Sequence, residues 1–113
     1  MVDIFADLAG VGFPVYQQGT APEVLPESFA TVWEYPSSDI LHADNKAKQC
    51  RHEWEIIFYT TDKTQIYSGL KTIITTLKKR GYLIDGQGYD ASGSWEGYDA
   101  RAVDVVKIEE LED

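Results

Sequence analysis

Asp39, His42 and Asp44 fall within six residues of one another, and their carboxylate and imidazole donors suit several divalent ions. A folded metal site needs further ligands and a second shell to orient them, and the whole chain has two histidines. A turn held by the Asp44-Asn45 side chains is the simpler reading of the same residues. The single cysteine, Cys50, has Lys48, Arg51 and His52 beside it, cations that would favour a thiolate. One cysteine next to one histidine is a weak signature of a nucleophile, so an ordinary thiol at the start of a strand is preferred. Gly10-Val11-Gly12 lacks the rest of a dinucleotide fingerprint, and neither a phosphate-cradling Gly-x-x-x-x-Gly-Lys run nor a Gly-x-Ser-x-Gly elbow occurs. Carboxylates are plentiful, yet none sits in a context diagnostic of glycoside cleavage. Tyr89, Trp95 and Tyr98 could stack a sugar or a base, but half-buried sheet aromatics or interface anchors account for them more simply. No catalytic, cofactor-binding or metal-binding residue is therefore assigned, and an enzyme is not expected.

Charge narrows the partners. There are 19 acidic residues against 10 basic ones, a net charge of −9. Binding a nucleic-acid backbone relies on clustered Lys and Arg that release counterions, and no such excess exists, so nucleic acid is disfavoured as a direct ligand. No apolar run approaches the roughly 18–20 residues of a membrane span, and Met1-Val2-Asp3-Ile4 is not the start of a secretory signal. A lone cysteine cannot close an internal disulfide, in keeping with a reducing compartment. Glu109, Glu110, Glu112 and Asp113 read as an acidic, solvated C-terminal tail, 109–113.

With 113 residues the chain is expected to form one domain, 1–113. Ile4, Phe5 and Leu8 predict a short helix over Asp3–Ala9, stopped at Gly10. Gly10–Pro26 is dense in breakers and predicts an irregular approach with at most a short strand at Phe13–Tyr16. Phe29–Tyr35 and His52–Thr60 alternate cleanly and predict an antiparallel hairpin with one buried face. Between them the polar stretch Pro36–Arg51 predicts a long loop, a length that is uncommon unless the loop has a partner. Thr61–Arg80 predicts the main helix: Asp62 as N-cap with Gln65 completing a capping box, Ile66, Leu70, Ile73, Ile74 and Leu77 as its core stripe, and Gly81 as its left-handed stop. Gly88–Ala91 and Gly97–Ala100 both spell Gly-Tyr-Asp-Ala and predict the arms of a second hairpin bent at Ser92-Gly93-Ser94, with Arg101–Ile108 as the last strand. The expected architecture is α+β, an antiparallel or mixed four-stranded sheet packed by one long helix and a short N-terminal helix.

Taken in order, Phe13-Pro14-Val15-Tyr16, Phe29–Tyr35, His42-Ala43-Asp44-Asn45-Lys46 and Glu55-Ile56-Ile57-Phe58-Tyr59-Thr60 directly before an acid-capped helix resemble a known family. It is that of the tail-terminator or tail-completion proteins of long-tailed bacteriophages, the minor tail protein U-like and head-tail joining group. The resemblance covers nearly the whole chain and lies in the order and spacing of the segments. It implies a small α+β domain that closes into a ring, expected to be a hexamer, on the head-proximal end of the tail tube. Such a ring ends tube polymerisation and docks to the head, without catalysis and without a cofactor. The implied partners are further copies of the chain, the tail tube protein and a head-completion or neck protein; the implied location is the virion tail, reached from the host cytoplasm. The Gly-Tyr-Asp-Ala pairs and the Ser-Gly-Ser bend depart from some relatives.

Contacts in a ring are heterologous, so two different surfaces of one subunit must be complementary. Asp39, His42, Asp44, Asn45, Lys46, Lys48 and Arg51 of the insert are the expected contact residues, joined by Tyr89, Trp95 and Tyr98 of the last hairpin. The insert's locally basic character would suit an acidic neighbour. The alternatives are a stopper protein of the phage neck and, from a different class, a small acidic inhibitor or immunity protein that binds a basic enzyme one-to-one.

Overall fold

Asp3 opens the first helix by accepting a hydrogen bond from the Ala6 amide at 3.2 Å, which satisfies one of the orphan donors of the first turn. Helix α1 spans only Ile4–Asp7. The turn continues through the bonds Ala9 N–H to Ala6 C=O and Val11 N–H to Leu8 C=O, so the expected helix ends early in tighter turns. The computed structural model describes residues 2–43, 46–93 and 95–110, and for 38–43 and 46–48 the backbone alone. Its further elements are β1 (Val15–Gln17), β2 (Ser28–Glu34), β3 (Ser38–Ala43), β4 (Lys46–Thr60), α2 (Ile66–Lys79, entered through a 3-10 turn at Lys63–Gln65), β5 (Leu83–Asp90) and β6 (Asp99–Glu110).

The fold is α+β, with two helices and a mixed sheet in the order β1-β2-β4-β6-β5, more strands than the four expected because β1 and β3 add to it. The expected hairpin is present, antiparallel from Ser28 opposite Thr60 to Glu34 opposite Trp54. β1 lies parallel to β2, Val15 opposite Ala30, and makes the sheet mixed. Among the described residues the insert is mostly strand rather than the expected loop. β3 pairs with the first part of β4, from Ser38 opposite Arg51 to Ala43 opposite Lys46, so β2 and β3 are two halves of one interrupted strand. Tyr35 continues the ladder through its amide to the Glu53 carbonyl at 2.8 Å. Pro36, which has no N–H to give, stands at the break.

The C-terminal strand also runs further than expected. β6 stays paired with β4 from Asp99 opposite Thr60 to Glu110 opposite Gln49. Glu109 and Glu110 are therefore strand residues, not a solvated tail: His52 Nε2 lies 3.0 Å from Glu109, and Gln49 donates to Glu110 at 2.7 Å. Leu111, Glu112 and Asp113 lie outside the described residues. The two Gly-Tyr-Asp-Ala runs do not face each other in register, because Tyr89 opposes Ala102 and Asp90 opposes Arg101. A bulge separates that pairing from Asp85 opposite Asp104, which bends the edge strand.

α2 seals one face of the sheet. Leu70, Ile73 and Leu77 are buried and Ile66 and Ile74 half-buried against Val32, Trp54, Ile56, Phe58, Val103 and Val105, while Ile4, Leu8 and Val11 close the same core. Asp62 caps the helix entry, accepting from the Thr64 amide at 3.0 Å. The capping box with Gln65 does not form: the Asp62 amide instead donates to Thr60 Oγ1 at 3.1 Å, and Thr60 is fully buried. At the other end Gly81, at φ +89°, makes a Schellman stop, with Gly81 N–H on Lys78 C=O and Tyr82 N–H on Leu77 C=O, both at 3.1 Å. The Lys107 ammonium donates to the Arg80 carbonyl and lies 4.7 Å from the centre of the Tyr82 ring.

Helix and sheet approach closely at Gly69, where a Cβ would overlap the ring of Phe58. That ring is buried and packs on Phe13 with centroids 4.9 Å apart, so it has little room to yield. Gly69→Ala should therefore lower stability, although alanine is about 1 kcal/mol better than glycine in a helix, because overpacking costs about 1–3 kcal/mol. A urea titration should give a lower midpoint for Gly69→Ala, and the loss should shrink in a Phe58→Leu background. An unchanged or higher midpoint would show that the helix can shift outward freely.

Candidate functional site

The face of the sheet away from α2 is divided in two. At one end Phe29, Tyr59 and Ala100 are buried beneath Leu25, Trp95 and Tyr98. The rings of Phe29 and Tyr59 stack at 4.9 Å, and Trp95 meets Tyr59 edge-on at 4.8 Å. The Tyr98 hydroxyl donates to the Pro26 carbonyl at 2.6 Å. Trp95 and Tyr98 thus turn inward and hold their connection onto the sheet.

The other end of this face is open. Strand register sets one row across four strands, Trp33 opposite Glu55, Glu55 opposite Asp104, and Asp104 opposite Asp85. Directly opposed residues share a face, so three carboxylates stand side by side there, an arrangement that destabilises a sheet. Two tyrosines bridge the row. Tyr89 donates to Glu55 at 2.6 Å with Asp104 at 3.4 Å, and Tyr35 donates to Asp104 at 3.2 Å. Around the row Trp33 is 44% exposed, Tyr89 42% and Leu83 61%. Arg51, at the margin, is paired with Glu53 at 2.7 Å.

This packing moves the titrations. Burial, reinforced by the charges of Glu55 and Glu53, raises the Asp104 carboxyl above the ordinary aspartate range, against the Tyr35 hydrogen bond. Tyr35 is pushed up to about 12, by burial first and the Asp104 charge second. Tyr89 is raised by burial and by its bond to Glu55.

Of the residues expected to make contacts, Tyr89 is on this open face and Arg51 at its edge. Asp39 and His42 are on β3, and Lys46 and Lys48 begin β4, all on the distal part of the hairpin, where only the backbone is described. Asp44 and Asn45 lie outside the described residues, as do the side chains of the Asp39, His42 and Asp44 metal reading. Among the described residues no group of three His, Cys, Asp or Glu converges as a metal site would. Cys50 is half-buried within the ladder, between Asp39 and Glu109. The ring nitrogens of His52 face carboxylates, Glu109 at 3.0 Å and Glu34 at 3.7 Å, and the ring stacks on Trp54 at 5.8 Å. His52 lines a groove of about 350 Å³ with Asp3, Phe5, Gln17 and Trp33.

Trp33, Tyr35, Glu53, Glu55, Leu83, Asp85 and Asp104 were not picked out by sequence reasoning. Their signal was the alternation itself, which put Trp33 with Tyr35 on one face and Glu53 with Glu55 on another strand's face, without saying that α2 would cover the reverse side. No protein-family model matches the chain, and no curated protein does.

The carboxylate row makes a prediction with a definite sign. A carboxyl whose pKa is raised on folding holds its proton more tightly in the native state, so its contribution to stability falls as pH rises through that pKa. Asp104→Asn keeps an acceptor for Tyr35 and removes the charge. At pH 7 it should stabilise the fold by a few tenths to about 1 kcal/mol, and the advantage should close as pH falls below about 4. Urea unfolding at the two pH values checks this; a variant less stable than wild type at pH 7 would show that the ion itself is needed.

Proposed function

We propose that this is a structural protein of a long-tailed bacteriophage that works by assembly, capping the head-proximal end of the tail tube as a ring and taking part in head-tail joining. The observation that carries the proposal is the long end of the sheet where β3, β4 and β6 run side by side. The strands β3 and β4 extend the resemblance-bearing segment into an arm, and the molecule measures 53 × 25 × 23 Å along its principal axes. Fifteen residues of antiparallel strand at about 3.4 Å each span nearly that length. A body this elongated, whose open sheet face carries exposed Trp33, Leu83 and Tyr89, suits a subunit that reaches across to its neighbours.

The carboxylate row favours one other reading, a small inhibitor that offers Glu55, Asp104 and Asp85 to a basic enzyme. The two differ in stoichiometry. Negative-stain microscopy of the protein mixed with purified tail tubes should show one end of each tube capped by a ring. Reversing the arm's charges with Lys46→Glu and Lys48→Glu should reduce the fraction of capped ends. Uncapped tubes with wild-type protein, or a soluble one-to-one complex with a basic enzyme, would overturn the proposal. Full capping by the double variant would remove the arm's basic residues from it.

A further inference from the structure

The cations of this acidic chain are not scattered. Lys63, Lys71, Lys78, Lys79 and Arg80, five of the ten, fall within Lys63–Arg80, and no acidic residue interrupts them. The outer surface of α2 presents exposed Lys71 and Lys78 beside Tyr67, which is 69% exposed. Arg101 comes up from β6 and sets its guanidinium 4.9 Å from the centre of the Tyr67 ring. Tyr67, Lys71, Lys78 and Arg101 rim a groove of about 310 Å³ whose floor includes Leu70 and Ile74. On the reverse side of the same two-layer body is the carboxylate row of Glu55, Asp104 and Asp85, flanked by exposed Trp33, Leu83 and Tyr89. One surface is cationic with an apolar floor; the opposite one is anionic with apolar projections.

We infer that these two surfaces are the halves of one heterologous contact, in which the α2 surface of each copy docks on the open sheet face of the next. The charges exclude the symmetric alternatives. Sheet face against sheet face would oppose carboxylate rows, and α2 against α2 would oppose lysines, whereas face against back pairs each row with Lys71, Lys78 and Arg101. Exposed aromatic and aliphatic side chains flanking the row meet the apolar groove, which supplies the desolvated centre that an interface needs. A face-to-back contact repeats from copy to copy and generates either a closed ring or a filament. The inference deepens the assembly reading above by naming the surfaces that would join the subunits, and it does not depend on tail tubes.

A charge-swap mixture tests it. One variant carries Lys71→Glu and Lys78→Glu, the other Glu55→Lys and Asp85→Lys. Each alone juxtaposes like charges, so in sedimentation at low salt its self-association should be weaker than wild type by more than about tenfold. Mixed one-to-one, the two alternate with every contact of opposite sign, and assemblies of wild-type size should return; added salt should dissolve them. Circular dichroism and urea midpoints near wild type establish that both variants are folded, and if the second pair unfolds the chain, Asp85→Lys alone takes its place. A wild-type chain that stays monomeric at its highest soluble concentration and low salt, variants that associate like wild type, or folded variants that fail to rescue each other would overturn the inference. Capping of tubes without rescue would leave the assembly function standing and remove this contact. Rescue without capping would do the reverse.

Discussion

The ladder between β4 and β6 is the interaction on which the rest of the structure depends. Twelve residues of each strand are paired without a break in register, from Thr60 opposite Asp99 to Gln49 opposite Glu110. Every second side chain points to the side of the sheet that α2 occupies and every other one to the reverse face, so a slip of one residue would exchange the two surfaces completely. Trp54, Ile56 and Phe58 of β4 with Val103 and Val105 of β6 form the floor on which α2 rests. The same register puts Glu55 against Asp104 and Ile57 against Ala102 on the other side. β2, β3 and β5 are all added to this pair, and the arm beyond the helix is its continuation.

A carboxylate row across a sheet works against folding, and the structure offsets it locally. Tyr35 and Tyr89 donate to it from β2's end and from β5, and one member, Asp104, holds its proton more tightly than an ordinary aspartate. Such an arrangement is not required by the core, which lies on the other side of the sheet. It gives the protein an anionic face backed by a cationic helix, a distribution that a chain of net charge −9 does not suggest. Segregated charge of this kind governs orientation and approach more than affinity, which rests on the apolar groups within it.

Much of the fold was legible because local periodicity and burial agreed. The stripe Ile66, Leu70, Ile73, Ile74 and Leu77 faces the core as its spacing predicts, and Gly81 stops the helix. The hairpin of β2 with β4 follows the alternation of Trp54, Ile56 and Phe58. Where the reading failed, a partner distant in sequence had taken over. Residues 38–43 and 46–51 lack apolar alternation, yet their backbone completes a ladder begun by its neighbours. Glu109 and Glu110 look like a charged tail until His52 and Gln49 are opposite them. The Asp62 amide is satisfied by Thr60, which lies in the strand before the helix and is fully buried. Trp95 and Tyr98, read as half-buried sheet aromatics or interface anchors, pack half-buried over a second small core.

By itself the sequence determined the α+β class, the main helix with its buried stripe and stop, and the pairing of the two aromatic strands. These depend on periods of 3.6 and 2 and on residues that neighbour one another along the chain. Only the tertiary structure decided which face of the sheet α2 covers, and hence which alternating set, with Glu55, Asp104, Asp85 and Trp33, remains open. It also decided that Lys71, Lys78 and Arg101 gather behind that face. Neither surface is contiguous in the chain: each is assembled from side chains of different elements, and strand register together with helix placement brings them to one side.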